Sequence, residues 1–302
     1  MKKGYIAIML AVIPWGLSFL NTKIALQALE PMTLAFFRFL LALCLVGIVG
    51  LMTKKDLRIK KEDIKYFLLA GGVGITIYFY FENNGVKYIE PAAASMILAA
   101  LPIATIFAES VFDKRQLNKK LILSGLVSLI GVLVIISGDL SVEGLMAGDG
   151  LIGYLMMFAA IGAWIVYSLS TKILFDKYPQ FTIVFYQFVF GTILAIPFVL
   201  VENNNFELVT STTVLNVVLL GVFSSGVGFF AYNYAMKHLG VSKSSLFINF
   251  IPLVTIIASY FYYGSLIGIK QIIGGLLIVG SVLMNKENKT VEKVNDRRSI
   301  IE

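Results

Sequence analysis

The chain has 302 residues, of which 58% are hydrophobic and 14% charged, and its mean hydropathy is +0.85. Soluble domains carry about a quarter charged residues, so this composition excludes a water-soluble enzyme and points to the bilayer as solvent. A single cysteine, Cys44, and a single histidine, His238, exclude an intramolecular disulfide and any metal site built on several thiolates or imidazoles, and the sequence calls for no metal or cofactor.

Charge-free runs between turn and charge signals predict ten helices, at about 4–26, 31–53, 64–84, 91–112, 120–138, 150–171, 179–201, 212–236, 242–263 and 268–285. Most approach the ~20 residues that a spanning helix needs. The first follows Lys2 and Lys3 but is too long for the apolar core of a signal peptide, so it is read as retained. It carries Trp15 in mid-span, with Ser18 and Thr22 on the same face. The second places Arg38 seven residues in, roughly 10 Å deep at ~1.5 Å per residue, where an ionised group needs a partner or water. Glu82, in the polar aromatic cluster Tyr78-Phe79-Tyr80-Phe81-Glu82-Asn83-Asn84 that ends the third helix, is the expected partner. The fourth has Pro102 at its middle and Glu109 near its end, within reach of interfacial water or Lys114.

The sixth helix carries Trp164, followed by Tyr167, Ser168 and Thr171. The eighth ends in Phe229-Phe230-Ala231-Tyr232-Asn233-Tyr234, and the ninth has Asn249 one turn before Pro252. His238 falls in a short loop as a solvated residue, and the 286–302 tail is too polar to bury anything.

With the N-terminus in the cytoplasm, the cytoplasmic segments hold 21 of the 25 Lys and Arg residues, as the positive-inside rule requires. Asp139, Glu143, Asp149, Glu202 and Glu207 fall in the opposite loops. Both termini are therefore expected in the cytoplasm. The net charge of +7 follows from topology and attraction to an anionic leaflet, without a nucleic acid partner.

Sliding the chain against itself by 149–150 residues aligns Trp15 with Trp164, Thr22-Lys23 with Thr171-Lys172, Asn83 with Asn233 and Lys87 with Lys237. Ser95, Pro102 and Gly125 likewise fall on Ser245, Pro252 and Gly275. This divides the chain into a first repeat, 1–138, a second, 150–285, and the tail. Five helices is an odd number, so the second repeat enters the membrane from the opposite side. The expected fold is an all-α membrane protein of ten transmembrane helices in two inverted five-helix repeats. Two inverted copies can exchange conformations and open a central site to each side in turn. The glycine-rich phosphate loop of ATP-driven machines is absent from the sequence.

Pro14-Trp15-Gly16 with Phe19 and Lys23, Pro31 followed by Phe36-Phe37-Arg38, and Ala92-Ala93-Ala94-Ser95 leading to Pro102 make the chain resemble the drug/metabolite transporter superfamily, within it the EamA-type ten-helix permeases. Ser245, Pro252, Gly264 and Gly274-Gly275 repeat the pattern in the second half. The resemblance spans roughly 4–285. It implies a bacterial inner-membrane carrier, usually an exporter of amino acids or related metabolites, working without ATP. Where that family places a glutamate some thirteen residues after each helix proline, this chain has Arg115 and Ser265.

The candidate substrate-binding residues are Trp15, Ser18, Arg38, Tyr78, Glu82, Asn83, Trp164, Tyr167, Tyr232, Asn233 and Asn249, with Pro102 and Pro252 as hinges. The tryptophans are either paired walls of a central site or packing between the halves, and the asparagines either gate the path or bond helices together. The expected partners are a small amphipathic solute and the lipid bilayer, and a homodimer is compatible with the sequence. The rival readings are an intramembrane enzyme acting on lipids, which would need titratable groups clustered rather than scattered over separate helices, and a passive channel, which needs no inverted symmetry.

Overall fold

The computed structural model describes residues 2–114, 116, 118–136, 150–264 and 268–284. Asp139, Glu143, Asp149, Arg115, Ser265 and the 286–302 tail lie outside the described residues. Within them the chain folds into ten helical rods and no strand. These are α1 (Lys2–Ala25), α2 (Pro31–Met52), α3 (Lys61–Tyr88), α4 (Pro91–Phe112), α5 (Lys119–Ile136), α6 (Gly150–Leu174), α7 (Gln180–Val201), α8 (Ser211–Leu239), α9 (Val241–Tyr262) and α10 (Ile269–Met284). Eight are long and apolar enough to cross a membrane. The two shortest among the described residues, α5 and α10, pack against each other.

The pairings repeat with partners exchanged. The first helix packs on α8 and α9, and its counterpart α6 packs on α3 and α4, while α2 meets α7 across the centre. Such an exchange is what two related five-helix halves packed around one centre produce. Leu51 and Met52 at the end of α2, and their repeat mates Leu200 and Val201 at the end of α7, are each 79% exposed, so the outer surface is hydrocarbon-compatible.

Two kinds of irregularity break the rods at equivalent places. Residues Leu69–Ile77 of α3 and Leu220–Val227 of α8 wind as π-helix, in which the Tyr78 N–H reaches back to the Val73 carbonyl and the Gly228 N–H to that of Phe223. The α4 and α9 rods each contain a 3₁₀ turn, Leu98–Ala100 and Phe247–Phe250, just ahead of Pro102 and Pro252. A proline cannot donate to the preceding turn, so each begins a fresh α segment in mid-rod. Close packing brings backbones together at the π stretch of α3, where a Cβ on Gly74 would stand 2.7 Å from the Tyr167 Cα.

At one end of the bundle, Glu202 at the close of α7 accepts hydrogen bonds from the N–H groups of Met32 (2.8 Å) and Thr33 (2.7 Å) and from the Thr33 hydroxyl (2.9 Å). Those are unsatisfied donors of the α2 N-terminus, where a carboxylate also meets a favourable dipole. At the same end Lys87 pairs with Glu30 at 2.6 Å. At the other end, Thr182 donates to the Asp56 carbonyl at 2.7 Å and Lys177 pairs with Asp63 at 2.6 Å. Hydrogen bonding to that carboxylate holds the Lys177 ammonium above the ordinary lysine value.

Candidate functional site

Four helices bring their aromatic residues to the middle of the bundle. Trp15 from α1 and Trp164 from α6 are both buried, with ring centroids 5.3 Å apart in a T-shaped contact at 88°. Tyr232 stands 5.0 Å from Trp15 and 5.3 Å from Trp164, and Tyr78 and Tyr167 flank Trp164 at 5.0 and 4.9 Å. Phe229 touches both tryptophans, and its repeat mate Phe79 closes the group. Aromatic pairs favour such edge-to-face and tilted arrangements, each contributing about 0.5–1.5 kcal/mol beyond buried area.

A cavity of about 20 Å³, room for roughly one water, opens among these rings. Trp15, Ser18, Arg38, Tyr78, Glu82 and Trp164, all singled out from the sequence, line it. So do Leu98 and Leu101 of α4 and their repeat mates Ile248 and Ile251 of α9, which the 3₁₀ turns present from opposite sides. Those four carry no chemical mark in the sequence, though their 150-residue offset and the following prolines could have found them. A larger cleft of about 450 Å³ beside α1, α2 and α8 presents apolar surface only.

The polar groups of the cavity do not pair as expected. Arg38 and Glu82 share it, but among the described residues no ion-pair contact within 4 Å joins them. Instead the Arg38 Nε donates to the Ser225 hydroxyl at 3.3 Å, and the guanidinium carbon lies 4.3 Å over the Phe79 ring. One carboxylate oxygen of Glu82 has no hydrogen-bond partner, nor has the Trp164 indole N–H. The guanidinium is therefore aimed by a π-helical serine and an aromatic face, which a reading based on opposite charges does not detect. The Trp15 indole N–H, by contrast, donates to the Ser224 carbonyl at 2.8 Å, and the Ser224 hydroxyl donates back to the Pro14 carbonyl at 3.0 Å.

The remaining predicted residues lie away from the cavity lining. Asn83 donates to the Pro31 carbonyl at 2.8 Å and ties α3 to the start of α2. Asn233 donates to the Tyr167 hydroxyl at 2.6 Å and to the Phe229 carbonyl at 2.8 Å, and Gln187 beside it donates to Thr171 at 2.8 Å. Tyr167 and Tyr232 thus support the cluster from behind. Asn249 points away from the centre, its amide donating to Ser128 of α5 at 2.5 Å. Glu109 does not turn to Lys114: it pairs with Lys172 of α6 at 2.7 Å. The helix expected to end at 171 runs to Leu174 and so takes in Lys172, the repeat mate of Lys23. His238 stacks on Tyr234 with centroids 4.0 Å apart.

Comparison with known proteins agrees with this architecture. Residues 2–137 and 151–285 each match the EamA-like transporter family. An Archaeoglobus fulgidus protein named as an uncharacterized transporter is 26% identical over 283 residues, covering 92% of this chain and 97% of its own length. A probable terminal-alkyne amino-acid exporter of Streptantibioticus cattleyicolor is 24% identical, covering 95% and 94%. A solved crystal structure superimposes with a TM-score of 0.73 at 20% identity, covering 93% of this chain and 95% of that one, and so shares the fold. The chain is accordingly a multi-pass membrane protein of the EamA-like transporter family.

Proposed function

We propose that the protein is a secondary carrier that exports amino acids or related small amphipathic metabolites by alternating access. The observation that carries this reading is the contact of Trp15 with Trp164, two residues at equivalent positions of the two repeats, over a cavity that also holds Arg38 and Glu82. A site built at the junction of inverted halves is reached from either side when one half rocks on the other. Ring faces suit an apolar body, the Arg38 fork suits a carboxylate, and the unpartnered Glu82 oxygen suits a donor such as an amine. The name of the Streptantibioticus cattleyicolor relative supports the same solute class. Pro102 and Pro252 serve as the hinges.

The solute and the lipids are its partners, in the cytoplasmic membrane of a bacterium with both termini in the cytoplasm, as the distribution of lysine and arginine supports. In a homodimer, each subunit would keep its own path. Purified protein in liposomes, challenged with labelled amino acids with and without a pH gradient, tests this directly. Saturable counterflow of an amino acid is expected, and its absence across the panel refutes the solute class. Unitary currents in a planar bilayer would instead mark a channel.

A further inference from the structure

At the end of the bundle that holds Lys172, three helices each lead from a cavity-lining residue through a buried hydroxyl to a polar terminal residue. On α6, Trp164 lines the cavity, Ser168 follows one turn on, and Lys172 one turn beyond. On α4, Leu101 lines it, Thr105 follows, then Glu109 and Asp113. On α9, Ile248 lines it, Ser244 lies four residues before, and Ser242 follows toward the helix start. Residues four apart share a helix face, so α6 and α4 each draw a stripe from the cavity to the end, while on α9 Ser244 shares the face of Ile248 and Ser242 stands at the helix start beyond it.

The middle member of each stripe is anomalous. The hydroxyls of Thr105, Ser168 and Ser244 belong to residues of 0% exposure, and none has a hydrogen-bond partner. Hydroxyls without partners in a protein interior are uncommon, because they forgo water and gain nothing in return. The terminal members are the opposite, fully engaged with one another. Lys172 contacts Glu109 at 2.7 Å and Asp113 at 2.5 Å. The other oxygen of Glu109 accepts from the Ser242 backbone N–H at 3.0 Å and from the Ser242 hydroxyl. One lysine and two carboxylates thus join α4 of the first half to α6 and α9 of the second.

The opposite end differs at the equivalent places. Lys23, the mate of Lys172, donates to the carbonyls of Val86, Lys87 and Ile89, at 3.0, 3.3 and 3.1 Å, all within the first half. The mates of Glu109 and Asp113 are Ser259 and Tyr263. Phe19 replaces Ser168, and Thr255, the mate of Thr105, donates to the Gly16 carbonyl at 2.8 Å. Neither the cross-half charge cluster nor the idle hydroxyls are repeated at these positions.

We propose that Thr105, Ser168 and Ser244 are the wall of the solute path between the cavity and the Lys172 end, and that the Lys172–Glu109–Asp113–Ser242 cluster is the bolt that closes it. The hydroxyls lack partners because their partners are water and solute polar groups that enter when the bolt opens. This assignment rests on the carrier reading.

Cys44 is the only cysteine, so a Cys44→Ala background gives clean thiol chemistry. In lipid nanodiscs, Ser168→Cys should react slowly with a membrane-impermeant, positively charged thiosulfonate while the bolt is intact. Adding Glu109→Gln and Asp113→Asn should raise that rate about tenfold or more, by shifting the closed and open populations. Ser281→Cys, buried in α10 and outside the path, should stay unreactive in both backgrounds. An unchanged rate at Ser168→Cys would overturn the proposal, and so would an equal rise at Ser281→Cys, which marks general loosening. Labelling needs no transport, so the stated rates without flux of the amino acids tested would refute that solute class and leave the gated path of a carrier standing.

Discussion

Trp15 and Ser224, 209 residues apart, exchange a pair of hydrogen bonds across the two halves: indole N–H to carbonyl, and hydroxyl to the carbonyl of the preceding Pro14. The acceptor carbonyl belongs to the π-helical stretch of α8, whose backbone bonding is already displaced from the α pattern. Trp15→Phe keeps a ring and loses the donor, so stability should fall by about 1–3 kcal/mol, read as a lower unfolding midpoint in detergent. Trp15→Ala and Trp164→Ala should each lower solute flux at least ~10-fold, the change that ~1.4 kcal/mol produces. Unchanged flux in both, at normal protein levels, would reject the aromatic site.

For Arg38, activity should rank wild type above Arg38→Lys above Arg38→Ala. Lysine keeps the charge near Phe79 but loses the planar fork and the Nε donor to Ser225. The alanine form should raise the KM for a carboxylate-bearing solute by about tenfold or more. Three equal forms would show that the guanidinium has no part in binding.

Gly74 and Gly162 make a controlled pair. A methyl at Gly74 would meet the Tyr167 backbone, which has no free rotor to yield, so Gly74→Ala should destabilise by ~1–3 kcal/mol. Nothing lies within 4 Å of the Cβ direction at Gly162, so Gly162→Ala should be neutral or stabilise by up to ~1 kcal/mol. Thermal unfolding of the two side by side checks the packing of α3 on α6.

Glu202→Gln retains the shape of the α2 cap and removes its charge. Of the three donors that Glu202 accepts, one would face an amide NH₂ group, and the dipole interaction would vanish. The expected loss is about 1–2 kcal/mol, and an unfolding midpoint equal to wild type would contradict the cap.

The rods are legible because charges and prolines punctuate apolar runs, and their ends fall within two residues of the expected ones, apart from longer starts or ends at α3, α6 and α8. The central pair of tryptophans was legible because the repeat offset superposes them. What escaped was everything set by helix winding. Nothing in Leu69–Ile77 or Leu220–Val227 announces π-helix, and their glycines read equally well as points of close approach. Of the two roles the sequence leaves open for Asn83 and Asn233, gating the path or bonding helices together, their hydrogen bonds to the Pro31 carbonyl and the Tyr167 hydroxyl fit the second, and neither lines the cavity. Arg38 found its partner 187 residues away, in one of those stretches. Asn249 lies within the 3₁₀ turn Phe247–Phe250, and its amide is directed toward Ser128.

A wider coil in α3 and α8 has a mechanical corollary. Each residue of an α-helix advances the chain by about 100° and 1.5 Å, so gaining or shedding one residue of slack behaves like a thread that slips by one notch. The Tyr78–Asn84 segment and its mate would then swivel as blocks, exchanging which groups look inward while every side chain stays in its own rotamer.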